Sequence, residues 1–248
     1  MQGILYFSST GNSLYLAKLI KEKRGGEIRY IPTYEGNGSE FDSILVVSPI
    51  YSFGLPVPVD ELLSRLNKES EIIFLLNYGG MVGGADRLFV QEAKKHGLNV
   101  KGVFSMKMPE NYTLVMCPPP FYIRSILKSA PKRLDKILKK MDEKKFSLPK
   151  GKKTHEETYR KNRGNWHKIA DDFSTTDKCA KCGKCVELCP SHNIKLVEEK
   201  IVFGNQCIAC LGCFHRCPVH AIIYKGKDNK KHYFHPLIDD KEMGKDQR

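Results

Sequence analysis

The chain has 248 residues, 41% hydrophobic and 28% charged, with a formal net charge of +13. That is an ordinary soluble profile with room for one medium domain and a small one. No apolar run approaches the roughly 18–20 residues of a membrane helix, and Met1–Phe7 lacks the charged flank of an export signal, so a cytoplasmic protein is expected.

In chain order, apolar strand patterns at Gly3–Phe7, Glu27–Ile31, Ser43–Ser48, Glu71–Asn77 and Asn99–Met106 alternate with helical patterns near Gly11–Arg24, Pro58–Asn67, Gly84–His96 and Phe121–Lys145. Several strands are apolar on both faces, as a parallel sheet covered by helices requires. The expected architecture for residues 1–148 is a doubly wound five-stranded parallel α/β sheet. From Leu148 to Thr176 the pattern dissolves. Pro149, Gly151, Lys152–Lys153 and Gly164 read as a basic connector over 149–176, with Trp166 packing against a domain. A lysine-rich tail, 226–248, follows a cysteine-rich module at 177–225.

Eight of the nine cysteines lie in that module, and its two halves repeat. Cys179, Cys182, Cys185, Cys189 and Pro190 recur 28 residues later as Cys207, Cys210, Cys213, Cys217 and Pro218, and Ile194 is matched by Ile222. Two half-modules related by a pseudo-twofold axis are expected. Thiolates are soft ligands for zinc or iron–sulfur clusters. Zinc usually takes separated C-x2-C pairs, whereas the run C-x2-C-x2-C-x3-C-P is the bacterial cluster-binding pattern. Two structural zincs are the alternative.

The first strand runs into Ser8-Ser9-Thr10-Gly11-Asn12-Ser13 and then a helix. Hydroxyls and free N–H groups at a helix N-terminus make an anion site, though a plain N-cap is the simpler reading of such a turn. Neither G-x-G-x-x-G nor G-x-x-x-x-G-K-[ST] occurs at this loop. In an open α/β sheet a ligand sits where the strand order reverses. Two more loops leave neighbouring strands there: Pro49-Ile50-Tyr51-Ser52-Phe53-Gly54 and Asn77-Tyr78-Gly79-Gly80. Each sets an aromatic ring beside glycine, suited to a planar ring.

On these motifs, residues 1–148 resemble a flavodoxin, and the cysteine module resembles the bacterial-type two-cluster ferredoxins. The whole resembles the flavodoxin–ferredoxin fusion proteins of anaerobes. The resemblance implies FMN, its phosphate held by Ser8, Thr10, Gly11, Asn12 and Ser13. Pro49, Tyr51, Ser52, Phe53 and Gly54, with Asn77, Tyr78, Gly79 and Gly80, would surround its ring. It also implies two [4Fe–4S] clusters with swapped fourth ligands: Cys179, Cys182, Cys185 and Cys217 for one, Cys207, Cys210, Cys213 and Cys189 for the other. Two oxidised cubes bring about −4 and a flavin phosphate about −2, so the loaded chain stays positive and partner proteins with acidic docking surfaces are expected. The function implied is electron transfer between the clusters, FMN and redox partners. The alternative is a flavin-dependent reductase of a small acceptor such as a quinone. No nucleic-acid-reading motif appears. Met108–Pro120, with Asn111, Tyr112 and Cys117, reads as an insertion loop; His192, His215 and His220 read as packing or surface residues beside complete ligand sets.

Overall fold

The computed structural model describes residues 1–150 and 155–246. Gly151 and Lys152–Lys153 of the expected connector lie outside the described residues. The N-terminal half alternates β1 (Gln2–Tyr6), α1 (Asn12–Arg24), β2 (Glu27–Tyr30), β3 (Ser43–Pro49), α2 (Val57–Arg65), β4 (Glu71–Tyr78), α3 (Ala85–Lys95), β5 (Asn99–Lys107) and α4 (Pro120–Asp142). The five strands form one parallel sheet in the order β2-β1-β3-β4-β5. This is the flavodoxin-like doubly wound order, which reverses between β1 and β3. Ile4, Leu5, Ile44–Val47 and Phe74–Leu76 are wholly buried, because helices cover both faces of the sheet. Strand and helix positions follow the sequence expectation within a few residues.

The connector is ordered where it is described. α5 (Glu156–Asn165) and a 3-10 segment, Trp166–Asp172, lead into β6 (Phe173–Thr175), which pairs antiparallel with the last strand, β9 (Ile222–Tyr224). Between them lie α6 (Lys184–Glu187), the hairpin β7 (Ile194–Val197) with β8 (Lys200–Phe203), and α7 (Gly212–His215). The 28-residue repeat is written in the backbone. α6 and α7 are its counterparts, and left-handed φ angles recur at Lys181 and Ala209, at Gly183 and Leu211, and at His192 and His220. Ile194 and Ile222 are both buried.

The tail packs back onto both halves. Tyr6 Oη donates to the Lys245 carbonyl at 3.3 Å, and the Tyr30 amide donates to Asp246 at 2.8 Å. Lys18 pairs with Glu242 at 2.6 Å, and Asp240 pairs with both Lys184 and Arg216 of the cysteine module. Among the described residues, no helix is long and apolar enough to cross a membrane.

Candidate functional site

At the carboxyl end of β1, Ser8, Ser9, Thr10, Asn12 and Ser13 line a small polar cavity with Pro49, Asn77, Tyr78 and Gly79. The loop's turn needs a left-handed residue, supplied by Gly11 at φ 92°, whose amide donates to Ser8 Oγ at 3.0 Å. No side chain caps α1, and its first residues, Asn12 and Ser13, line the cavity, so N–H groups without an intrahelical partner lie at its edge, an arrangement suited to anions. Two residues expected at the phosphate have their side chains engaged elsewhere. Asn12 donates to the Pro109 carbonyl at 3.0 Å and accepts from Tyr233 Oη at 2.7 Å. Ser13 Oγ accepts from Asn77 at 2.8 Å. Both hold the loop's shape and offer the cavity mainly backbone. Gly11 does not line it, because its α-carbon packs against His235 and Ile238. Ser9, in the loop but not among the expected phosphate residues, and Asn111, expected in an insertion loop, both reach the site: Asn111 Nδ2 donates to Thr10 Oγ1 at 3.2 Å and to Ser9 Oγ at 3.4 Å. Their signal was positional, since Asn111 follows β5 at the same sheet end.

Next to it lies a larger cavity of about 590 Å³, lined by Tyr51, Ser52, Phe53, Tyr78, Gly79 and Gly80 on the α/β side. Tyr51 and Gly54 exchange both backbone hydrogen bonds, at 3.0 and 2.9 Å, and close a tight turn that forces Ser52 and Phe53 to φ 46° and 71°. Two non-glycine residues held left-handed together mark a loop whose surroundings over-determine it. Those surroundings are the connector. Phe53 stacks on His155 with centroids 4.4 Å apart, and Trp166 meets Tyr51 edge-on at 6.2 Å. Gly54 lines neither cavity; a Cβ there would lie 2.3 Å from the Tyr159 ring. Tyr51 Oη and Ser9 Oγ are 3.1 Å apart, tying the two loops together.

The opposite wall is the cysteine module, through Ala209, Cys210 and Leu211. Gly212 follows against the hydroxyl loop, where even a Cβ would make only ordinary contacts, 3.6 Å from Ser9 Cβ and 3.7 Å from Cys210 Sγ. Burial pushes the Tyr51 hydroxyl well up, with the nearby Cys210 thiol the next cause. Leu211 holds a left-handed φ of 58° where its repeat counterpart is Gly183. Its side chain is buried with Leu114, Phe173 and Phe214, which accounts for a bulky residue there.

The eight cysteines fall into two spatial groups. Cys179, Cys182, Cys185 and Cys217 line one cavity with Ile201, Val219 and Ile222. Cys213 lies within electrostatic reach of Cys210, Cys207 and Cys189, and then of Cys185, so the second group adjoins the first. Matching N–H···S hydrogen bonds tie the two crossing residues: Asn193 to Cys189 at 3.3 Å and Ala221 to Cys217 at 3.2 Å. Burial pushes Cys185 up to about 11 and Cys210 to about 12. Thiols so placed ionise only against a compensating cation, which a soft metal centre supplies. Among the described residues, no three Cys, His, Asp or Glu side chains converge closely enough to grip a single bare ion; the first quartet rings a shared cavity instead. Cys182 is exposed, whereas Cys210 is buried and lines the aromatic cavity; the other six are half-buried.

His232 meets His220 edge-on with centroids 3.9 Å apart, and His215 bridges the two halves. His215 Nε2 lies 2.7 Å from the Asn111 carbonyl, and its Nδ1 accepts from the Tyr233 amide at 3.1 Å. Cys117 is a half-buried free thiol beside a second lobe of about 380 Å³ that adjoins Gly79 and Gly80.

No protein-family model matches the sequence, and no curated protein matches it. Solved structures do match part of the chain. Fusobacterium nucleatum flavodoxin bound to flavin mononucleotide is 14% identical over 59% of this chain and 98% of its own, with a TM-score of 0.41. Two-electron reduced Megasphaera elsdenii flavodoxin is 23% identical over 42% of this chain and 85% of its own, with a TM-score of 0.36. A flavodoxin from Streptococcus pneumonia TIGR4 is 15% identical over 56% of this chain and 98% of its own, also at 0.36.

Proposed function

We propose that this chain is an electron-transfer flavo-iron–sulfur protein of the flavodoxin–ferredoxin fusion type. In this reading residues 1–148 form the FMN-binding domain, 149–176 a connector that walls the flavin cavity, and 177–225 a two-[4Fe–4S] domain, with a tail beyond. The observation that supports it most is the sorting of the eight cysteines into two crossed quartets, one abutting an aromatic cavity beside a hydroxyl-lined helix N-terminus. The donor sets fit the groups: eight soft thiols for two cubes, and hydroxyls with free N–H groups but no lysine for a monophosphate.

When bound, a cube exchanges single electrons and FMN one or two. The chain's own residues then do four things. Ser8, Ser9, Thr10 and the amides of Asn12 and Ser13 neutralise the phosphate by hydrogen bonding. Tyr51, Phe53, Tyr78 and the bare backbone of Gly79 and Gly80 bracket the ring. Trp166 and Leu211 exclude water from the side facing the inner quartet (Cys189, Cys207, Cys210, Cys213). The outer quartet, at exposed Cys182, opens to solvent. Holding all three groups in one chain replaces diffusion by a fixed proximity. Free thiols in such number belong in a reducing compartment, and we place the protein in the cytoplasm, exchanging electrons with redox proteins that carry acidic docking surfaces.

Anaerobic purification with quantified iron, acid-labile sulfide, zinc and flavin tests the reading. About eight iron, eight sulfide and one FMN per chain are expected. Full clusters without flavin would remove the FMN assignment, and zinc persisting under iron supplementation would remove electron transfer altogether. A second reading, reduction of a small acceptor such as a quinone, is favoured by one observation: the aromatic cavity adjoins a further lobe past Gly79–Gly80. Turnover of such an acceptor without any partner protein would select it.

A further inference from the structure

Half of the large apolar side chains that stand exposed among the described residues gather in one place. Met81, Tyr112, Val115, Met116, Phe121 and Tyr122 are between 39% and 80% exposed. They come from the loops that follow β4 and β5 and from the first turn of α4, all at the sheet end that carries the cavities. Met81 and Tyr112 line the aromatic cavity, while Met116, Phe121 and Tyr122 line the adjoining lobe. The two openings share Gly79, Gly80 and Glu110. The apolar residues therefore form a collar around one mouth. Pro118–Pro119–Pro120 restricts the backbone between Met116 and Phe121, so the collar does not simply fold inward.

The collar adjoins a one-signed surface. Arg124, Lys128, Lys132 and Lys136 recur every four residues on α4, all exposed, beginning one turn after Phe121. Lys107 Nζ lies 5.4 Å over the Tyr122 ring. The two acids of α4 do not offset this stripe, because they are turned to α1: Asp135 pairs with Lys23 at 3.0 Å and Asp142 with Arg24. An apolar collar at a cofactor cavity, flanked by unbalanced positive charge, has the form of a transient redox encounter surface, where charge steers approach and a small apolar contact sets the final distance.

We propose that this collar and the α4 stripe are the docking face for an acidic electron-transfer protein, which presses its own centre against the mouth of the aromatic cavity. The inference rests on the electron-transfer reading and adds where the partner sits. It separates this face from the other exposed apolar group, Leu196, Val197, Val202 and Val219 near the outer quartet. There the charges are mixed, as in the Lys181–Glu199 pair at 2.7 Å.

The test is binding of the full-length, cofactor-loaded chain to an acidic bacterial-type two-cluster ferredoxin, measured by calorimetry at two ionic strengths. Lys128→Glu/Lys132→Glu/Lys136→Glu is expected to weaken binding about tenfold or more and to flatten its salt dependence. Met116→Ser/Phe121→Ser is expected to weaken it several-fold while keeping the salt dependence. Val197→Ser/Val202→Ser is expected to leave it unchanged. Wild-type iron and flavin contents in every variant show that the fold survives. No binding by the wild type, or equal binding by the first two variants, overturns the docking face. So does tight sedimentation with phosphatidylglycerol vesicles that both variants abolish, since it reassigns the face to a membrane surface. Iron and flavin missing from the wild type overturns the electron-transfer reading itself, a failure distinct from these.

Discussion

His235 is a buried base at the join between tail and hydroxyl loop. Its ring stacks on Tyr15 at 4.1 Å, its amide donates to the Thr10 carbonyl, and its Nε2 has no hydrogen-bond partner among the described residues. Burial lowers its pKa from 6.5 to about 4. The unfolded chain therefore takes up this proton first as pH falls. The stability it confers is complete above about pH 6.5 and drains away toward pH 4, by on the order of 3 kcal/mol. Urea midpoints between pH 7 and 4.5 should fall less steeply for His235→Phe than for the wild type, and parallel curves would refute the assignment. Gly54→Ala makes a steric prediction. A methyl group 2.3 Å from Tyr159 displaces a ring whose hydroxyl donates to the Leu55 carbonyl at 3.0 Å. A loss of about 1–3 kcal/mol is expected, with faster flavin release on dilution as Trp166 follows. The sequence made the hydroxyl loop and the eight cysteines legible because short-range spacing carries their chemistry. It could not reveal that Asn12 and Ser13 would be engaged by Tyr233 and Asn77, since those partners are set by tertiary contacts.

At the scale of elements, the five-stranded sheet was readable because β1, β3 and β4 bury both faces and show as unbroken apolar runs, while the edge strands β2 and β5 alternate. The connector was not. α5 buries a single side chain, Tyr159, so its sequence carries no helical stripe of apolar residues. Only the lone Trp166 hinted that it packs. The tail was equally silent, because its buried side chains, Tyr233, His235, Ile238 and Met243, follow no helix or strand period, and the stretches between them are fastened by ion pairs. Asp240 is the clearest of them. Burial raises its carboxyl, but hydrogen bonds from Lys184 and Arg216 together outweigh burial and hold it below the usual carboxylate range. Asp240→Asn leaves the Arg216 guanidinium, whose side chain is only 6% exposed, without its counter-charge. A loss of about 2–4 kcal/mol is expected, together with new protease cleavage between residues 226 and 246. An unchanged digestion pattern would show that the tail is held by its other contacts.

For the whole molecule, the two halves differ in how they are held. The sheet has a large continuous core, whereas the separate buried cluster at the cysteine module comprises, among the described residues, Leu211, Phe214 and Ile222 of the module with Leu114 and Phe173 packed on them from outside it. Under the two-cluster reading, a core that small leans on its metal as a staple. Oxidative or chelator removal of metal should expose the amides of β7–β9 to hydrogen exchange while those of β1, β3 and β4 stay protected. Bound flavin should loosen at the same time, because Ala209–Leu211 no longer wall its cavity. Full protection of β7–β9 in metal-free protein would contradict this. The bond from Tyr233 Oη to Asn12 Oδ1, spanning 221 residues, also sets an order of assembly. During synthesis the hydroxyl loop leaves the ribosome early and waits for its last contact until the tail emerges, roughly 10–45 s later at ordinary elongation rates. For that interval the nascent chain presents the hydroxyl loop without its tail partner, and the contact closes only once the cysteine module has been made.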